Sequence, residues 1–542
     1  MDEEFAWRRD AMVGAGYWRD RTLLDYLEEA VSRTPDKEAV VAFKTETKQE
    51  TRLTYRALDE ISSRIAANLR KLGIGTGDVV SFELPTWWEF TALHIACLKI
   101  GAISNPLMII LRERELKFML AQAQTRVLIV PSTFRGFNYG EMAHGLRGDL
   151  PDLAHVFVIG GDPEDSFERL LAPEDPGERS VPAAALNPDS VIELLYTSGT
   201  TGEAKGVMHS SNTMLSNLLP FAERLRLGAQ DVIHMPSPLG HQLGFMYGLV
   251  LPVMLGATAI LQDIFDPAEM ARQVIAERAT FTMGATPFLN DFVECIERDG
   301  AETPSLRVFV SAGAPIPRDL VTRARSILGA AIVSGWGMSE NGAVTTTRLD
   351  DPEELVTGTD GCALPGMEVR VLDEAGECTP PDEPGELHVR GCSNFLGYFK
   401  RPGLADIDAD GWFKTGDIAR IDAQGYIRIT GRSKDIIIRG GENIPVVEIE
   451  GLLYRHPAIA AVAIVGFPHP RLGEQACAFV VPREGEDFIF ADMVGYLKSQ
   501  RIAVQYIPEK LEIVAELPIT PSGKVQKFKL RNSLLATRTA LV

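Results

Sequence analysis

Apolar runs of strand length alternate with amphipathic stretches through the first two thirds of the chain. Short apolar runs predict strands at 78–84, 126–131, 231–235, 257–261, 280–283, 306–311 and 330–334. Helical periodicity predicts helices at 86–100, 267–278, 286–298 and 317–327. Strands that are separated by helices pair in parallel through right-handed crossovers. The pattern therefore predicts an α/β fold built on parallel sheets.

The pattern changes near residue 355, where Gly, Pro and Asp become frequent. Short alternating runs at 367–373, 385–391 and 425–431 predict antiparallel hairpins. From residue 446 a helical pattern precedes two apolar runs, 461–467 and 476–482. This last part has the size of one small domain that contains both helices and strands.

The longest uncharged apolar stretch, 245–261, is interrupted by Gly248, Pro252 and Gly256. It is short for a membrane span, and it predicts a buried helix followed by a buried strand. The N-terminus, MDEEFAWRRD, lacks the basic region and the apolar run of a secretory signal. We therefore expect no integral membrane segment and a cytoplasmic enzyme.

Length and charge narrow the class of protein further. A chain of 542 residues is too long to fold around a single hydrophobic core, so several packed units are expected. Lys and Arg number 54 against 74 Asp and Glu, which gives a net charge of −20. Such a surface disfavours nucleic acids and anionic membranes as partners, and a polyanionic ligand must be held by local donors. The six scattered cysteines predict buried free thiols.

The segment most informative about chemistry is 192–207, IELLYTSGTTGEAKGV. An apolar run ends at Tyr196, and glycines and hydroxyl residues follow it. Glycines let backbone N–H groups point at an anion, and hydroxyls and an ammonium add donors. The spacing is not that of the G-x-x-x-x-G-K-[ST] loop. The segment predicts a phosphate site formed by Thr197, Ser198, Gly199, Thr200, Thr201, Gly202 and Lys205.

Residues 196–207 resemble the signature loop of the adenylate-forming superfamily, which includes acyl- and aryl-CoA synthetases, peptide-synthetase adenylation domains and firefly luciferase. Further superfamily motifs recur in order along nearly the whole chain, as SGWGMSE, WFKTGD, GRSKDIIIRGGEN and PITPSGK. The resemblance implies a large N-terminal AMP-binding domain, residues 1–433, with two doubly wound sheets and a β-barrel-like part. It implies a small mobile α+β C-terminal domain, residues 434–542. ATP, Mg²⁺ and coenzyme A are the implied cofactors.

The same resemblance assigns nucleotide and metal contacts. It implies that Trp336 stacks on adenine, where Tyr is usual in the superfamily, and that Glu340 and Thr197 hold Mg²⁺. Asp417 resembles the carboxylate that binds the ribose hydroxyls, and Arg432 resembles a second nucleotide contact. The remaining implied nucleotide contacts are Gly313, Ala314, Pro315, Gly337, Met338 and Ser339.

A second group of residues is implied in catalysis and domain movement. Lys524 resembles the mobile lysine that contacts the substrate carboxylate and the α-phosphate. Lys205 resembles a phosphate contact, and His241 resembles a position near the carboxylate. Lys434 stands at the hinge of the superfamily, and Gly440 and Gly441 resemble the loop that lines the tunnel for coenzyme A.

The expected acid pocket is formed by segments 240–245, 283–287, 311–315 and 336–338, which contain no Lys, Arg, Asp or Glu. A neutral, mostly apolar acyl tail is therefore favoured: a medium-chain fatty acid, an alicyclic acid such as cyclohexanecarboxylate, or an aryl acid. The main interpretation is an ATP-dependent acid–CoA ligase, as a monomer or homodimer. Alternatives are an enzyme that loads a separate carrier protein and a non-catalytic nucleotide-binding interaction protein.

Overall fold

A computed structural model describes residues 3–173, 186–197, 204–313, 316–432, 437–439, 442–469, 473–500, 502, 504–520 and 523–539. Its α-helices are α1 Glu3–Gly14, α2 Leu23–Arg33, α3 Tyr55–Lys71, α4 Trp88–Ile100, α5 Glu113–Ala123, α6 Tyr139–Leu146, α7 Ser211–Arg224, α8 Gln242–Gly244, α9 Leu251–Leu255, α10 Pro267–Ala276, α11 Thr286–Asp299, α12 Arg318–Leu328, α13 Glu353–Gly358, α14 Val446–Leu453, α15 Phe490–Ser499 and α16 Lys527–Thr539. A π-helical turn, Phe245–Val250, joins α8 to α9.

The strands of the first two sheets and a short hairpin are β1 Glu38–Lys44, β2 Gln49–Thr54, β3 Val79–Glu83, β4 Ile103–Leu107, β5 Thr125–Pro131, β6 Thr133–Phe134, β7 Phe137–Asn138, β8 His155–Ile159, β9 Val191–Thr197, β10 Lys205–Ser210, β11 Val232–Met235, β12 Thr258–Gln262, β13 Phe281–Gly284, β14 Val308–Ala312, β15 Ala331–Met338, β16 Gly342–Thr346 and β17 Cys362–Ala363. The later strands are β18 Met367–Leu372, β19 Gly385–Gly391, β20 Phe413–Ile421, β21 Ile427–Arg432, β22 Ile437–Arg439, β23 Glu442–Ile444, β24 Ile459–His469, β25 Gly473–Pro482 and β26 Lys510–Ile513.

The largest sheet has nine strands in the order β17-β16-β15-β14-β13-β11-β12-β1-β2. Its centre, from β15 to β1, is parallel, and antiparallel strands close both edges. Helices α10, α11 and α12 pack an apolar layer onto one face. The parallel α/β arrangement predicted from the sequence is confirmed here, with the antiparallel edges as an addition.

A second sheet has six strands in the order β10-β9-β4-β3-β5-β8. It is parallel except for β10, which pairs antiparallel with β9. Helices α5 and α6 cover its outer face, and the main core, which includes side chains of α3, α4, α7 and α9, packs residues from both sheets together. Two wound sheets therefore share one core, as expected for the large domain.

The last third of the chain is mainly antiparallel. The expected barrel-like part is a four-stranded sheet, β18-β19-β20-β21. A five-stranded sheet of β22 to β26 follows and packs with α14 and α15 on one side and α16 on the other. The α+β character of the C-terminal part is confirmed, whereas the boundary between residues 433 and 434 stays a prediction.

The apolar stretch 245–261 is a buried helix followed by a buried strand, as predicted. The helix ends at Leu255 because Gly256 adopts a left-handed conformation, with φ of +67°, and β12 follows. Within the described part of the chain, no helix combines the length and apolar character that crossing a membrane requires. Five of the free cysteines are buried as expected, while Cys378 is exposed.

Candidate active site

Four of the parallel strands end at the same edge of the nine-stranded sheet. Gly284, Ser311 and Ser334 stand side by side in the register of β13, β14 and β15, and β11 lies next to β13. Carboxyl ends of parallel strands meet at one edge, where ligands commonly bind. The predicted pocket segments follow these strands, so the fold brings them together. Ala314 and Pro315 lie outside the described residues.

A tight turn between β15 and β16 carries Met338, Ser339 and Glu340. The amide of Met338 donates to Oδ1 of the buried Asn341 at 3.2 Å, and the amide of Asn341 donates to the carbonyl of Met338 at 3.2 Å. Gly337 is required because a Cβ there would lie 1.9 Å from the carbonyl oxygen of Gly342. The turn places Glu340, which is 7% exposed, at the edge where the strands end.

Trp336, Asp417 and Arg432 form one hydrogen-bonded group. The indole Nε1 of Trp336 donates to Oδ2 of Asp417 at 2.9 Å. Arg432 stands opposite Asp417 in the register of β20 and β21, and its Nε lies 2.8 Å from Oδ1. Asp417 is 2% exposed, so its charge is held by these two donors. The residues that resemble the adenine and ribose contacts are therefore adjacent.

Glu340 also contacts an aromatic residue that sequence reasoning missed. The hydroxyl of Tyr398 donates to Oε1 of Glu340 at 2.7 Å. The Nζ of Lys205 lies 4.5 Å from the centroid of the Tyr398 ring, within the range of cation–π attraction. No spacing in the sequence links positions 340 and 398, because the contact depends on how β10 and the segment after β19 pack. Lys205 and Glu340 thus share one neighbour.

The phosphate-loop prediction is only partly within the described structure. Thr197 ends β9 and stands opposite Lys205 on β10, and its hydroxyl donates to the Lys205 carbonyl at 3.5 Å. The strands that flank the loop, β9 and β10, therefore pair antiparallel, and Lys205 at the start of β10 lies beside Tyr398. The predicted donors between these ends, Ser198, Gly199, Thr200, Thr201 and Gly202, lie outside the described residues.

Lys524 reaches this edge from the C-terminal part of the chain. Its loop is closed by Thr520, whose hydroxyl accepts from the Lys524 amide at 3.0 Å and whose amide donates to the Lys524 carbonyl at 2.7 Å. Gly523 adopts φ of +82°, and a Cβ there would lie 3.0 Å from Cβ of Ala285. The Cε of Lys524 lies 3.7 Å from where Gly313 would carry a Cβ. The lysine therefore enters between β14 and the start of α11.

The electrostatics of Lys524 place it among the predicted nucleotide contacts. Burial lowers its pKa and the charge of Arg432 lowers it further, whereas the charges of Asp417 and Glu340 raise it. Lys524, Arg432, Asp417 and Glu340 therefore belong to one site. The predicted hinge residue, Lys434, and the predicted tunnel residues, Gly440 and Gly441, lie outside the described residues.

His241 caps the start of α8 beside this group. Its Nδ1 accepts from the amide of Leu243 at 3.3 Å, so a neutral ring carries its proton on Nε2. Burial, and then the charge of Lys524, lower the pKa of His241 to about 3. The imidazole is therefore neutral at physiological pH and has an N–H donor left for a ligand.

A second residue that the sequence did not single out is Glu193, on β9. It is fully buried, and Gln242 Nε2 donates to its Oε2 at 3.2 Å. Burial raises the pKa of Glu193 to about 8. Because the carboxyl group is mostly protonated at neutral pH, the neighbouring pocket segment 240–245 keeps its uncharged character.

Family models match most of the chain. A model described as AMP-binding enzyme matches residues 27–399, and a model described as AMP-binding enzyme C-terminal domain matches residues 448–524. The second match ends at Lys524, the residue that reaches the site formed by the first.

Relatives and solved structures agree with these models. A medium-chain fatty-acid–CoA ligase of Escherichia coli (strain K12) is 37% identical over 538 residues, which cover 98% of this chain and 94% of that protein. A salicyl-AMP ligase/salicyl-S-ArCP synthetase of Mycobacterium tuberculosis is 35% identical, covering 95% of this chain and 91% of that protein. The solved anthranilate CoA ligase AuaEII in complex with anthranoyl-AMP superposes with a TM-score of 0.86 at 26% identity, covering 96% of this chain and 98% of that one.

Proposed function

The chain belongs to the AMP-binding enzyme family, and on that premise we propose that it is an AMP-forming acid–CoA ligase. The observation that carries this proposal is the position of Lys524, which enters between β14 and the start of α11 within the electrostatic influence of Glu340, Asp417 and Arg432. A buried ammonium near two carboxylates and a guanidinium matches a site where a carboxylate reacts with a nucleoside triphosphate.

In the first step the substrate carboxylate attacks the α-phosphorus of ATP. The new bond joins the acid to AMP, and pyrophosphate leaves. Lys524 stabilises the negative charge that develops on the α-phosphate, and Lys205 stabilises the departing pyrophosphate. Asp417 accepts hydrogen bonds from the ribose, and Trp336 offers its ring face to adenine. Neutral His241 donates from Nε2 to an oxygen of the acid.

The residues present fit one Mg²⁺ ion that is shared with the nucleotide. Among the residues that the structure describes, no three acidic, histidine or cysteine side chains form a metal cluster. Mg²⁺ commonly binds through one or two carboxylates together with substrate phosphates, and the buried Glu340 offers such a carboxylate. We propose Glu340 and the Thr197 hydroxyl as its protein ligands. The ion would neutralise charge on the phosphates during attack.

In the second step the thiolate of coenzyme A attacks the acyl carbon. The acyl–oxygen bond breaks, AMP leaves with both electrons of that bond, and a thioester forms. The Lys524 loop occupies one approach to the site between Gly313 and Ala285. We therefore propose that residues 434–542 rotate about Lys434 between the two steps and that Gly440 and Gly441 then line the thiol channel.

The uncharged walls support an acid with a neutral, apolar tail. Segments 240–245, 283–287 and 336–338 contain no charged side chain, and the nearby Glu193 is mostly protonated. A carboxylate or ammonium on the tail would lose hydration there without a partner. Medium-chain fatty acids, alicyclic acids such as cyclohexanecarboxylate and aryl acids remain the proposed substrate classes, and the names of the relatives fall within the first and third of these.

The test is pyrophosphate release with ATP and Mg²⁺ across monocarboxylic acids, measured with and without coenzyme A. We expect turnover with fatty, alicyclic or aryl acids that depends on coenzyme A. Release that is stimulated by a phosphopantetheinyl carrier protein and not by coenzyme A would favour carrier loading, the activity named for the salicyl-AMP relative. The absence of release with every acid in the panel would contradict the proposed function.

A further inference from the structure

Residues 395–399 connect the strand of Lys205 to the turn of Glu340. The Phe395 amide donates to the Glu340 carbonyl at 2.7 Å, and the Phe399 amide donates to the Gly206 carbonyl at 2.8 Å. Between them, the Leu396 amide donates to the Met208 carbonyl at 2.9 Å. The backbone of this segment therefore bridges β10 and the β15–β16 turn, which are also joined by a hydrogen bond of 2.8 Å between His209 Nε2 and the Ser339 carbonyl.

The side chain of Tyr398, at 4% exposure, is the part of this segment that faces both charged groups. Its hydroxyl donates to Oε1 of Glu340 at 2.7 Å, and its ring lies 4.5 Å from Nζ of Lys205. A phenol is protonated across the physiological range, so the Tyr398 hydroxyl is a hydrogen-bond donor to Glu340.

We propose that Tyr398 is a positioning residue that orients Glu340 for the metal–nucleotide complex and keeps Lys205 apart from it. This inference rests on the proposed function. An ammonium and a carboxylate that face the same site attract each other, and a direct ion pair between them would neutralise both charges. Tyr398 gives each of them a different partner: the hydroxyl edge occupies one Glu340 oxygen and leaves the other for the ion, and the ring face attracts Lys205.

The path of the segment does not depend on the Tyr398 hydroxyl. The guanidinium of Arg8, on α1, donates to the carbonyl of Asn394, and it donates to the carbonyls of Phe395 at 3.0 Å and Gly391 at 3.3 Å. The backbone bonds of residues 395–399 add to this anchor. The Tyr398→Phe variant should therefore keep the segment and the ring face in place while it removes the donor to Glu340.

The test measures nucleotide affinity without turnover. Binding of α,β-methylene-ATP to the full chain is measured by calorimetry with Mn²⁺ and, separately, with EDTA. The ratio of the two dissociation constants reports the contribution of the metal. We expect Tyr398→Phe to reduce this ratio by about tenfold, the range expected for one hydrogen bond to a charged group. Affinity in EDTA should change by less than about twofold, because the cation–π contact remains.

The matched control is Tyr55→Phe, which removes a fully buried hydroxyl that bonds to the carbonyls of Pro252 and Ala257. This variant should lower the melting temperature and leave the ratio of the dissociation constants in EDTA and in Mn²⁺ unchanged. In a Glu340→Gln background, Tyr398→Phe should cause no further loss of the ratio.

Three outcomes overturn the inference, and they do so in two distinguishable ways. A wild-type ratio near one would remove the metal role of Glu340 and the positioning role together. A wild-type ratio well above one that Tyr398→Phe leaves unchanged, or an equal further loss in the Glu340→Gln background, would remove only the role of Tyr398.

Discussion

The hydrogen bond from Trp336 to Asp417 gives the sharpest prediction about nucleotide binding. Trp336→Phe keeps an aromatic face for adenine and removes the Nε1 donor that lies 2.9 Å from Oδ2 of Asp417. A hydrogen bond to a charged group contributes about 1.5–3 kcal/mol. Arg432 still holds the other oxygen at 2.8 Å, so we take the lower end, about 1.5 kcal/mol, which corresponds to roughly tenfold. We expect KM for ATP to rise about tenfold and kcat to change less.

The chain contains a matched control for this substitution. Trp87 Nε1 donates to Oδ2 of Asp263 at 3.0 Å, which is the same kind of bond in another part of the fold. Trp87→Phe should lower the melting temperature and leave KM for ATP unchanged. Equal effects of the two variants on KM would refute the argument.

A second nucleotide separates ring stacking from the hydrogen bond. Under the proposed function the indole acts on the ribose through Asp417, so Trp336→Phe should reduce the preference for ATP over 2′-deoxy-ATP in kcat/KM by several-fold. A loss of stacking alone would lower kcat/KM equally for ATP and for 2′-deoxy-ATP. An unchanged preference would therefore show that Trp336 does not act through Asp417.

Three further predictions concern ionisable groups. Lys524→Ala should slow acid-dependent ATP–pyrophosphate exchange by about 10²–10³-fold, while thioester formation from a presynthesised acyl-adenylate should change much less; equal losses in both assays would contradict the role. Because the pKa of Lys524 is lowered and its ammonium is the proposed active form, kcat/KM for ATP should fall with rising pH before an ordinary lysine titrates, and Lys524→Arg, which stays charged, should lack this fall. Glu193 has a raised folded pKa of about 8, so its contribution to folding stability is full below about pH 4.5 and is lost as the pH rises toward 8. The melting temperature of Glu193→Gln relative to wild type should therefore rise by about 3 °C between pH 5 and pH 8, and a difference that is independent of pH would contradict the assignment.

The parallel core of the fold was predictable because it depends on local pattern. Continuous apolar runs such as 280–283 and 306–311 became β13 and β14, since strands that are covered on both faces need no polar side. Strand β15 was predicted only to residue 334 and extends to Met338. Gly335 and Gly337 weaken the local strand pattern, and pairing with β16 overrides it. Helix α7 was not predicted, and Pro220 lies within it.

Some residues of the candidate site were likewise predictable from the sequence, and others were not. Motif resemblance brought out Trp336, Glu340, Asp417 and Lys524, although their proximity depends on three sheets. Tyr398 and Glu193 carry no sequence signal, because each matters through a neighbour distant in the chain. Such contacts follow from packing alone, so local spacing could not have predicted them.

The two buried carboxylates of the site are held by the same kind of partner. Glu340 accepts from the hydroxyl of Tyr398, and Asp417 accepts from the indole of Trp336. Each aromatic ring also offers its face: that of Tyr398 lies beside Lys205, and that of Trp336 is the proposed adenine contact. An aromatic donor fixes a carboxylate with few rotatable bonds and adds no charge of its own, although Arg432 also pairs with the other oxygen of Asp417 at 2.8 Å. Lys or Arg alone in its place would compete with the ion or the ribose for the same oxygens.

The carboxylates are therefore oriented before the nucleotide arrives, which removes part of the reorganisation cost from the reaction. Trp336→Phe and Tyr398→Phe each keep an aromatic ring and remove the hydrogen-bond donor. Each variant should therefore retain the contact that the ring face makes and lose the orientation of the neighbouring carboxylate.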